Sequence, residues 1–172
     1  KTFSLYTHYK KILADTITPV SIYLKIRDKF PNSILLESSD YHANDNSFSY
    51  ICCNPIASIK IKDEAITQTF PDGTVFKNKI KKTTSVTKVI HKFTKRFKVQ
   101  SEENFKFINN GIFGYIAYDA VRYFEDVEIS KKEDHLNIPD IFLFCLIKVK
   151  ISNFGISLYI YYLKKYLLIY IS

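Results

Sequence analysis

The chain has no Trp and no Met, and its 172 residues include only 4 Gly, 5 Pro and 3 Cys. So little Gly and Pro excludes collagen-like, linker-like and Gly-rich repeat proteins. The lack of Met indicates that Lys1 is not the translational start, so we expect the chain to be a piece of a longer protein. No charged and then apolar leader opens the sequence, which favours the cytoplasm as its location.

The cysteines and histidines show no metal-binding pattern. Cys52 and Cys53 are adjacent, so in a strand their side chains point to opposite faces, and Cys145 lies far from both in the sequence. An odd number of cysteines with this spacing predicts neither a disulfide framework nor a zinc site. We therefore expect no metal and no cofactor in this chain. None of the four histidines is four residues from another: His8, His42, His91 and His135.

Catalytic motifs are lacking as well. The sequence has no Gly-rich phosphate loop, and Ser38 and Ser39 do not lie in the G-x-S-x-G turn that exposes a nucleophile. Asp40 and His42 follow in a polar loop without the rigid support that a catalytic triad needs. We predict no catalytic residue in this chain.

The chain is rich in aromatic residues, with 14 Phe and 13 Tyr among 47% apolar and 24% charged residues. This is an ordinary globular composition, and the aromatic and β-branched residues favour strands. The net charge of +8 comes mainly from Lys residues spread along the chain. Such a charge raises the question of an anionic partner, although abundant Lys, Asn, Ile, Phe and Tyr are also typical of an AT-rich genome.

Two segments have the pattern of amphipathic helices. The first begins with Thr18 as its N-cap and Pro19 as its first helical residue, and the pattern extends to Phe30. The second begins after Thr84 or Ser85 and has apolar residues at helical spacing, with lysines on the opposite side. Two helices are therefore predicted with defined starting residues.

Strand patterns fill most of the remaining chain. We interpret Asn54-Pro55 as a turn, Pro71-Asp72-Gly73 as a hairpin turn, and Asp119 as the cap of a short third helix, Ala120–Glu125. Together these elements predict one α+β domain with a mainly antiparallel β-sheet and two or three packed helices. The predicted strands are residues 33–37, 48–53, 57–62, 65–70, 74–76, 111–118 and 141–151.

Two segments have the residue types of a binding site. Glu37 and Ser38 follow directly on a buried strand, which places a carboxylate and a hydroxyl where they can receive and orient an ammonium group. The alternative is a carboxylate that pairs with a local Lys. Arg122 lies three residues from both Asp119 and Glu125, which predicts an ordinary ion pair within a helix.

A basic RNA-binding module is a further alternative. The stretch Lys77–Lys82 and the helix Lys88–Lys98 together have the charge of a nucleic-acid footprint, with Phe93 and Phe97 as stacking groups. These phenylalanines fall on the apolar face of the helix, so we expect them in the core and expect no nucleic-acid partner. The apolar runs are too short for a membrane span, so we expect no membrane partner either.

Five motifs, in this order and spacing, resemble the N-terminal domain of anthranilate synthase component I between about Leu13 and Val149. Each motif is weak alone, but the order makes the resemblance specific. They are Thr18-Pro19-Val20, Leu35-Leu36-Glu37-Ser38, Ser47-Phe-Ser-Tyr-Ile51 leading into Asn54-Pro55, Gly111-x-x-Gly114-Tyr-x-x-Tyr-Asp119-x-Val-Arg122-Tyr-Phe-Glu125, and Leu136-x-Ile-Pro139-Asp140.

The resemblance implies a part of an enzyme that converts chorismate to anthranilate and pyruvate. That enzyme uses Mg²⁺, and a glutamine amidotransferase subunit (component II) delivers its ammonia. In the family the chemistry resides in a larger C-terminal chorismate-binding domain, so we expect the 172-residue chain alone to be inactive. The related aminodeoxychorismate synthase component I is an alternative, but its pattern usually lacks the Glu-Ser after the Leu pair and the Val-Arg before the aromatic residue.

The resemblance also implies a tryptophan feedback site. By position it maps to Leu36, Glu37 and Ser38, and less securely to Ser49 and Tyr50 across the sheet. The rest of the pocket is expected in the domain that is absent here. A free-standing amino-acid-binding module would follow the same logic and is a further alternative.

The resemblance fades after Lys150. We expect residues 1–150 to form the regulatory domain and 151–172 to be a divergent C-terminal tail, which resembles a decayed or out-of-frame end. Deleting residues 158–172 is expected to leave a folded core. The pair Cys52-Cys53, where the family has small or aliphatic residues, affects only local packing.

Overall fold

The computed structural model describes the backbone of residues 1–13, 17–37, 48–101, 111–129, 136–152 and 157–163. Every pairing of known register is antiparallel, which confirms the predicted α+β class. The helices in these ranges are α1 (Pro19–Ile26), α2 (Val86–Thr94) and a 3₁₀ helix (Tyr118–Tyr123). The strands are β1 (Phe3–Leu13), β2 (Ile34–Glu37), β3 (Phe48–Lys62), β4 (Ala65–Thr69), β5 (Val75–Lys79), β6 (Phe97–Ser101), β7 (Ile112–Ile116), β8 (Ile141–Ser152) and β9 (Ser157–Leu163).

The chain forms two compact units, each assembled from separate stretches of sequence. The first unit consists of Lys1–Phe3, Ile56–Lys98 and Ile112–Cys145. The second unit consists of Ser4–Pro55, Val99–Gly111 and Leu146–Ser172. None of the helices within the described ranges is long and apolar enough to cross a membrane.

The first unit is built on strands that hydrogen-bond in the order β5-β4-β3-β8, with β7 also paired to β8. The β4–β5 hairpin turns at Pro71-Asp72-Gly73, as predicted. Gly73 has a φ of 80°, a conformation that favours glycine. Asp72 Oδ1 accepts a hydrogen bond of 3.1 Å from the Thr74 backbone N–H, which fixes the turn.

An aromatic cluster forms part of the core of the first unit. The ring of Phe70 lies 5.4 Å from that of Phe93 and 5.7 Å from that of Phe3, measured between centroids. Phe97 completes the cluster at 5.3 Å from Phe93, and the Arg96 guanidinium lies 4.7 Å from the centre of the Phe70 ring. The predicted core position of Phe93 is confirmed, because only 1% of it is exposed.

The predicted turn at Asn54-Pro55 is wrong. The chain continues through these residues as the single strand β3. Asn54 has a φ of 50°, in the left-handed region that Asn tolerates better than most residues. The Asn-Pro pair therefore changes the local backbone direction within a strand without ending it.

The second unit contains strands in the order β8-β9-β1-β6, and β2 pairs with β3. Helix α1 begins as predicted: Thr18 Oγ1 accepts from the Ser21 backbone N–H, and Ser21 Oγ accepts from the Thr18 backbone N–H, both at 3.1 Å. This reciprocal cap satisfies two N–H groups at the helix start. The helix ends at Ile26, before the predicted limit at Phe30.

The other two predicted helices are present with different limits. Helix α2 has Ser85 as its N-cap, as predicted, but Phe97 belongs to strand β6 rather than to the helix. The predicted helix Ala120–Glu125 is the 3₁₀ helix, and its N-cap is Ala117, which makes no side-chain cap hydrogen bond. The prediction that Asp119 caps this helix is wrong.

Strand β9 comes from the predicted tail. Thr7 to Leu13 of β1 pair with Leu163 to Ser157, and Val149 to Ser152 of β8 pair with Ile160 to Ser157. The segment thus has hydrogen-bonded neighbours on both sides. Residues 164–172 lie outside the described residues.

Candidate functional site

Four of the five residues predicted to bind tryptophan meet at the end of β2. Antiparallel pairing places Glu37 opposite Ser49 and Leu36 opposite Tyr50. Residues directly opposite in such a pair have their Cβ atoms about 4.5–5.5 Å apart. The fifth predicted residue, Ser38, lies outside the described residues, as does the polar loop that follows it.

The pairing divides these residues between the two faces of the sheet. Successive side chains along a strand point to opposite faces, so Glu37 and Ser49 share one face while Leu36 and Tyr50 share the other. The carboxylate and the hydroxyl are therefore together. The aliphatic and aromatic side chains form a separate pair behind them.

Glu37 and Ser49 both lack a protein partner for their side chains in the described part of the chain. Glu37 is exposed, and no cation among the described residues lies within ion-pair distance of its carboxylate. Only 2% of Ser49 is exposed, and no described group forms a hydrogen bond with its hydroxyl. A buried hydroxyl without a partner costs about 1–3 kcal/mol, so a polar group from elsewhere is favoured there.

The opposite face is half-buried. Leu36 and Tyr50 are both partly covered, and burial, with the charge of Cys52 as a smaller cause, raises the pKa of Tyr50 above its usual value. The Tyr50 phenol is thus neutral at physiological pH and can only donate or accept hydrogen bonds.

Helix α1 fixes the beginning of β2. The Tyr23 hydroxyl donates a hydrogen bond of 3.4 Å to the backbone carbonyl of Ser33, one residue before the strand. Ile22 and Ile26, on the same helix, are buried. The strand that carries Glu37 at its end is therefore anchored at its start to a capped helix.

A second polar cluster lies in the first unit, and the sequence pattern missed its main contact. Arg122 Nη2 donates to Asp140 Oδ1 at 2.8 Å, and the Tyr123 hydroxyl donates to Asp140 Oδ2 at 2.8 Å. The prediction that Arg122 pairs with Asp119 or Glu125 is wrong. Its partner lies 18 residues away, at the start of β8, where an i±3 rule cannot find it.

The electrostatics of this cluster follow from partial burial and from Asp140. Burial acts to lower the pKa of Arg122, but its interactions with Tyr123 and Asp140 outweigh burial and raise that pKa. Burial, together with the hydrogen bond to Asp140, raises the pKa of Tyr123. At neutral pH the Arg122 guanidinium therefore keeps its charge and the Tyr123 phenol keeps its proton.

A metal ion has no suitable site among the described residues. Nowhere in the described ranges do three or more His, Cys, Asp or Glu side chains lie together in a way that could hold one. Cys52, Cys53 and Cys145 are buried and form no disulfide. The described residues therefore do not fit the Mg²⁺ that the resemblance implies for the complete enzyme.

Comparison with known proteins gives one consistent result. No family model matches the chain. Over 135 residues it is 31% identical to anthranilate synthase component 1 of Aquifex aeolicus, and over 132 residues it is 32% identical to the protein of the same name from Pseudomonas putida. The Thermus thermophilus protein of that name is 30% identical over 132 residues.

These alignments cover most of the chain and a small part of each relative. They include 78%, 76% and 77% of this chain, respectively, and 26% of each of the three relatives. The chain is therefore a relative of anthranilate synthase component 1 and spans about a quarter of the length of the curated relatives it matches.

Proposed function

We propose that this chain is the regulatory part of an anthranilate synthase component 1 and carries half of a tryptophan feedback site. The complete protein would convert chorismate to anthranilate and pyruvate with Mg²⁺ and with ammonia from a glutamine amidotransferase subunit. The similarity to proteins named anthranilate synthase component 1 supports the enzyme family. The chemistry would lie in the part of the protein that this chain does not span.

The observation that carries the tryptophan site is a pair of polar side chains at the end of β2 that have no side-chain partner among the described residues. The Glu37 carboxylate and the Ser49 hydroxyl share one face, and neither has a partner within the described ranges. An ammonium group between them would receive a charge-assisted contact from Glu37 and would donate a hydrogen bond to Ser49. No described Lys or Arg lies within ion-pair distance of Glu37, which disfavours the alternative of a local ion pair.

The other predicted residues have distinct roles in this proposal. Ser38 follows Glu37 directly and orients the ammonium or carboxylate of the amino acid. Leu36 and Tyr50 lie on the opposite face of the sheet from Glu37. They therefore contact the ligand only past the end of β2, or they support Glu37 from the other face. We therefore expect substitutions of Leu36 and Tyr50 to have smaller effects on tryptophan binding than substitutions of Glu37.

The isolated chain is expected to bind tryptophan poorly, with a Kd of about 1 mM or weaker, because half of the pocket is missing. The sharper test uses a chimera in which the matched quarter of the Aquifex aeolicus relative is replaced by residues 13–149 of this chain. Anthranilate formation is measured against tryptophan concentration. Glu37→Gln removes a charge-assisted contact of about 1.5–3 kcal/mol, so the tryptophan concentration for half-inhibition should rise about tenfold to a hundredfold.

Asp28→Asn serves as the matched control, since it removes an exposed carboxylate from the same unit that lies outside β2 and β3. This control should leave inhibition unchanged. The test requires a parent chimera that is active and inhibited by tryptophan. The proposal is wrong if Glu37→Gln and Ser38→Ala are then inhibited as strongly as this parent and as the Asp28→Asn control.

A further inference from the structure

The first unit contains a cleft of about 420 Å³ that is separate in sequence from the residues of the proposed tryptophan site. This volume lies within the range of about 300–1,000 Å³ that is typical of small-molecule sites. Most of the residues that line the cleft are polar. They are Glu64, Lys81, Lys82, Thr84, Arg122 and Tyr123.

The lining has an excess of positive charge that comes from its two lysines. Lys81, Lys82 and Arg122 contribute three cations and Glu64 one carboxylate. Arg122 also forms an ion pair with Asp140 at 2.8 Å. In the described part of the chain neither lysine ammonium has an ion-pair partner. The cleft therefore has two ammonium groups whose charge is not compensated by a bound carboxylate.

Arg122 is held in a fixed orientation at this cleft. Its Nη2 atom contacts Asp140 Oδ1 at 2.8 Å, and its guanidinium carbon lies 5.0 Å from the centre of the Tyr123 ring. No described group accepts a hydrogen bond from its Nε or Nη1 atoms. A guanidinium has five N–H donors in a planar fork, so Arg122 keeps donors for an anion and pays little entropy to present them.

The lysines are carried by a closed turn. The Thr84 backbone N–H donates to the Lys81 carbonyl at 2.8 Å, and the Lys81 backbone N–H donates to Thr84 Oγ1 at 3.0 Å. At the other side of the turn the Ile80 backbone N–H donates to the Glu64 carbonyl at 2.6 Å. The backbone that presents Lys81 and Lys82 is thus hydrogen-bonded at both ends.

From this arrangement we propose that the cleft binds a small dianion whose charged groups are carboxylates or phosphates. One anionic group contacts the free donors of Arg122, and the second lies between the Lys81 and Lys82 ammonium groups. The Tyr123 ring and the side chain of Ile80 cover the apolar body of the ligand.

The test is calorimetric titration of the 172-residue chain with pyrophosphate and with citrate, and with acetate at matched ionic strength as the singly charged reference. We expect saturable binding of at least one of the two multivalent anions, with a Kd of about 1 mM or tighter, and no saturation by acetate. Binding of pyrophosphate alone identifies a phosphate ligand. Binding of citrate alone identifies a carboxylate ligand.

Two double variants with the same change in charge distinguish binding at the cleft from nonspecific attraction of anions to a basic chain. Lys81→Gln with Lys82→Gln should weaken binding about five- to twentyfold, since each partly exposed charge contact contributes a factor of about two to five. Lys77→Gln with Lys79→Gln on the exposed strand β5 should leave binding unchanged. The proposal is overturned if no multivalent anion saturates the chain below about 10 mM, if acetate binds equally well, or if both double variants lose affinity equally.

These measurements do not depend on the tryptophan site. Neither double variant changes a residue at the end of β2, and no tryptophan is present in the titration. A failure here leaves the proposed function untouched, and loss of the tryptophan response leaves the anion result untouched.

Discussion

Gly114 pairs with Leu143 where β7 lies beside β8, and the backbone of β8 leaves no room there for a Cβ atom. An ideal Cβ built there would be 1.9 Å from the Phe142 carbonyl oxygen, and the φ of Gly114 is 150°. The obstacle is backbone, so it cannot rotate away as a side chain would. We predict that Gly114→Ala lowers the free energy of unfolding by about 3 kcal/mol or more, measured by urea denaturation.

Gly73 provides the matched control for this prediction. It also has a positive φ, 80°, but nothing lies within 4 Å of its Cβ position. Gly73→Ala should therefore cost only the backbone term for a left-handed alanine, about 1–2 kcal/mol. Equal losses of stability in the two variants would show that the approach to Phe142 is unimportant.

Cys53 predicts a pH dependence of stability. Burial raises the pKa of the Cys53 thiol to about 11 from its ordinary value of 9.0. Between these values the unfolded chain loses the thiol proton while the folded chain keeps it, so the unfolded state is favoured as pH rises. The free energy of unfolding should fall by about 2–3 kcal/mol from this group alone as the pH rises from about 9 to about 11.

The Cys53→Ala variant isolates this contribution. The loss of buried volume lowers its stability at every pH by a similar amount, but its unfolding free energy should decline less than that of the parent between about pH 8.5 and pH 10.5. Titration of Tyr and Lys is common to both proteins and cancels in the difference. Parallel curves for the two chains would mean that Cys53 ionises normally in the folded state.

At the scale of elements, β9 connects β1 and β8 by backbone pairing. Seven residues of β1 face residues of β9 in register, and four residues of β8 do so on its other side. Deleting residues 157–172 would leave both neighbours with unpaired backbone edges, which destabilise a sheet and promote aggregation. We predict that this deletion lowers the unfolding midpoint and the soluble yield, whereas the sequence alone led us to expect a folded core after deletion of residues 158–172.

The control deletion removes only residues 164–172 and keeps β9 intact. It should preserve the thermal unfolding midpoint and the circular dichroism spectrum of the full chain. If the two deletions behave alike, with both as stable as the parent, then β9 contributes nothing to stability.

The elements that sequence patterns predicted well are those fixed by neighbouring residues. Thr18 and Pro19 define the start of α1, and Pro71-Asp72-Gly73 defines a hairpin, because caps and tight turns depend on hydrogen bonds across two to four residues. Strand β1 was not predicted. Its sequence mixes polar and apolar residues without clear alternation, and its partner β9 begins more than 140 residues later.

In the candidate sites, too, local motifs identified single residues but not the contacts between separate strands. The Leu-Leu-Glu-Ser motif pointed to Glu37, and the resemblance named Ser49, but only the β2–β3 register shows that the two are opposite each other. The Arg122–Asp140 pair was missed because a local helix rule offered closer carboxylates. Contacts between separate strands are set by tertiary packing, which no local pattern encodes.

At the scale of the whole molecule, the chain matches about a quarter of the length of proteins named anthranilate synthase component 1. The two units are assembled from interleaved stretches, so neither can be isolated as one continuous segment of the chain. Function is therefore best tested on the intact chain and on its combination with the remaining part of a relative.

We predict that the 172-residue chain forms no anthranilate from chorismate with Mg²⁺ and ammonia. The relatives that carry the enzyme name are almost four times the length of the region they share with it, and the described residues offer no cluster that would hold Mg²⁺. Anthranilate fluorescence is the readout, in protein purified from a host that lacks its own anthranilate synthase. The Aquifex aeolicus relative and the chimera that carries residues 13–149 of this chain are the positive controls, and both should produce anthranilate. Fluorescence above the protein-free blank from the chain alone would locate a catalytic centre within these residues and would overturn the assignment of a purely regulatory part.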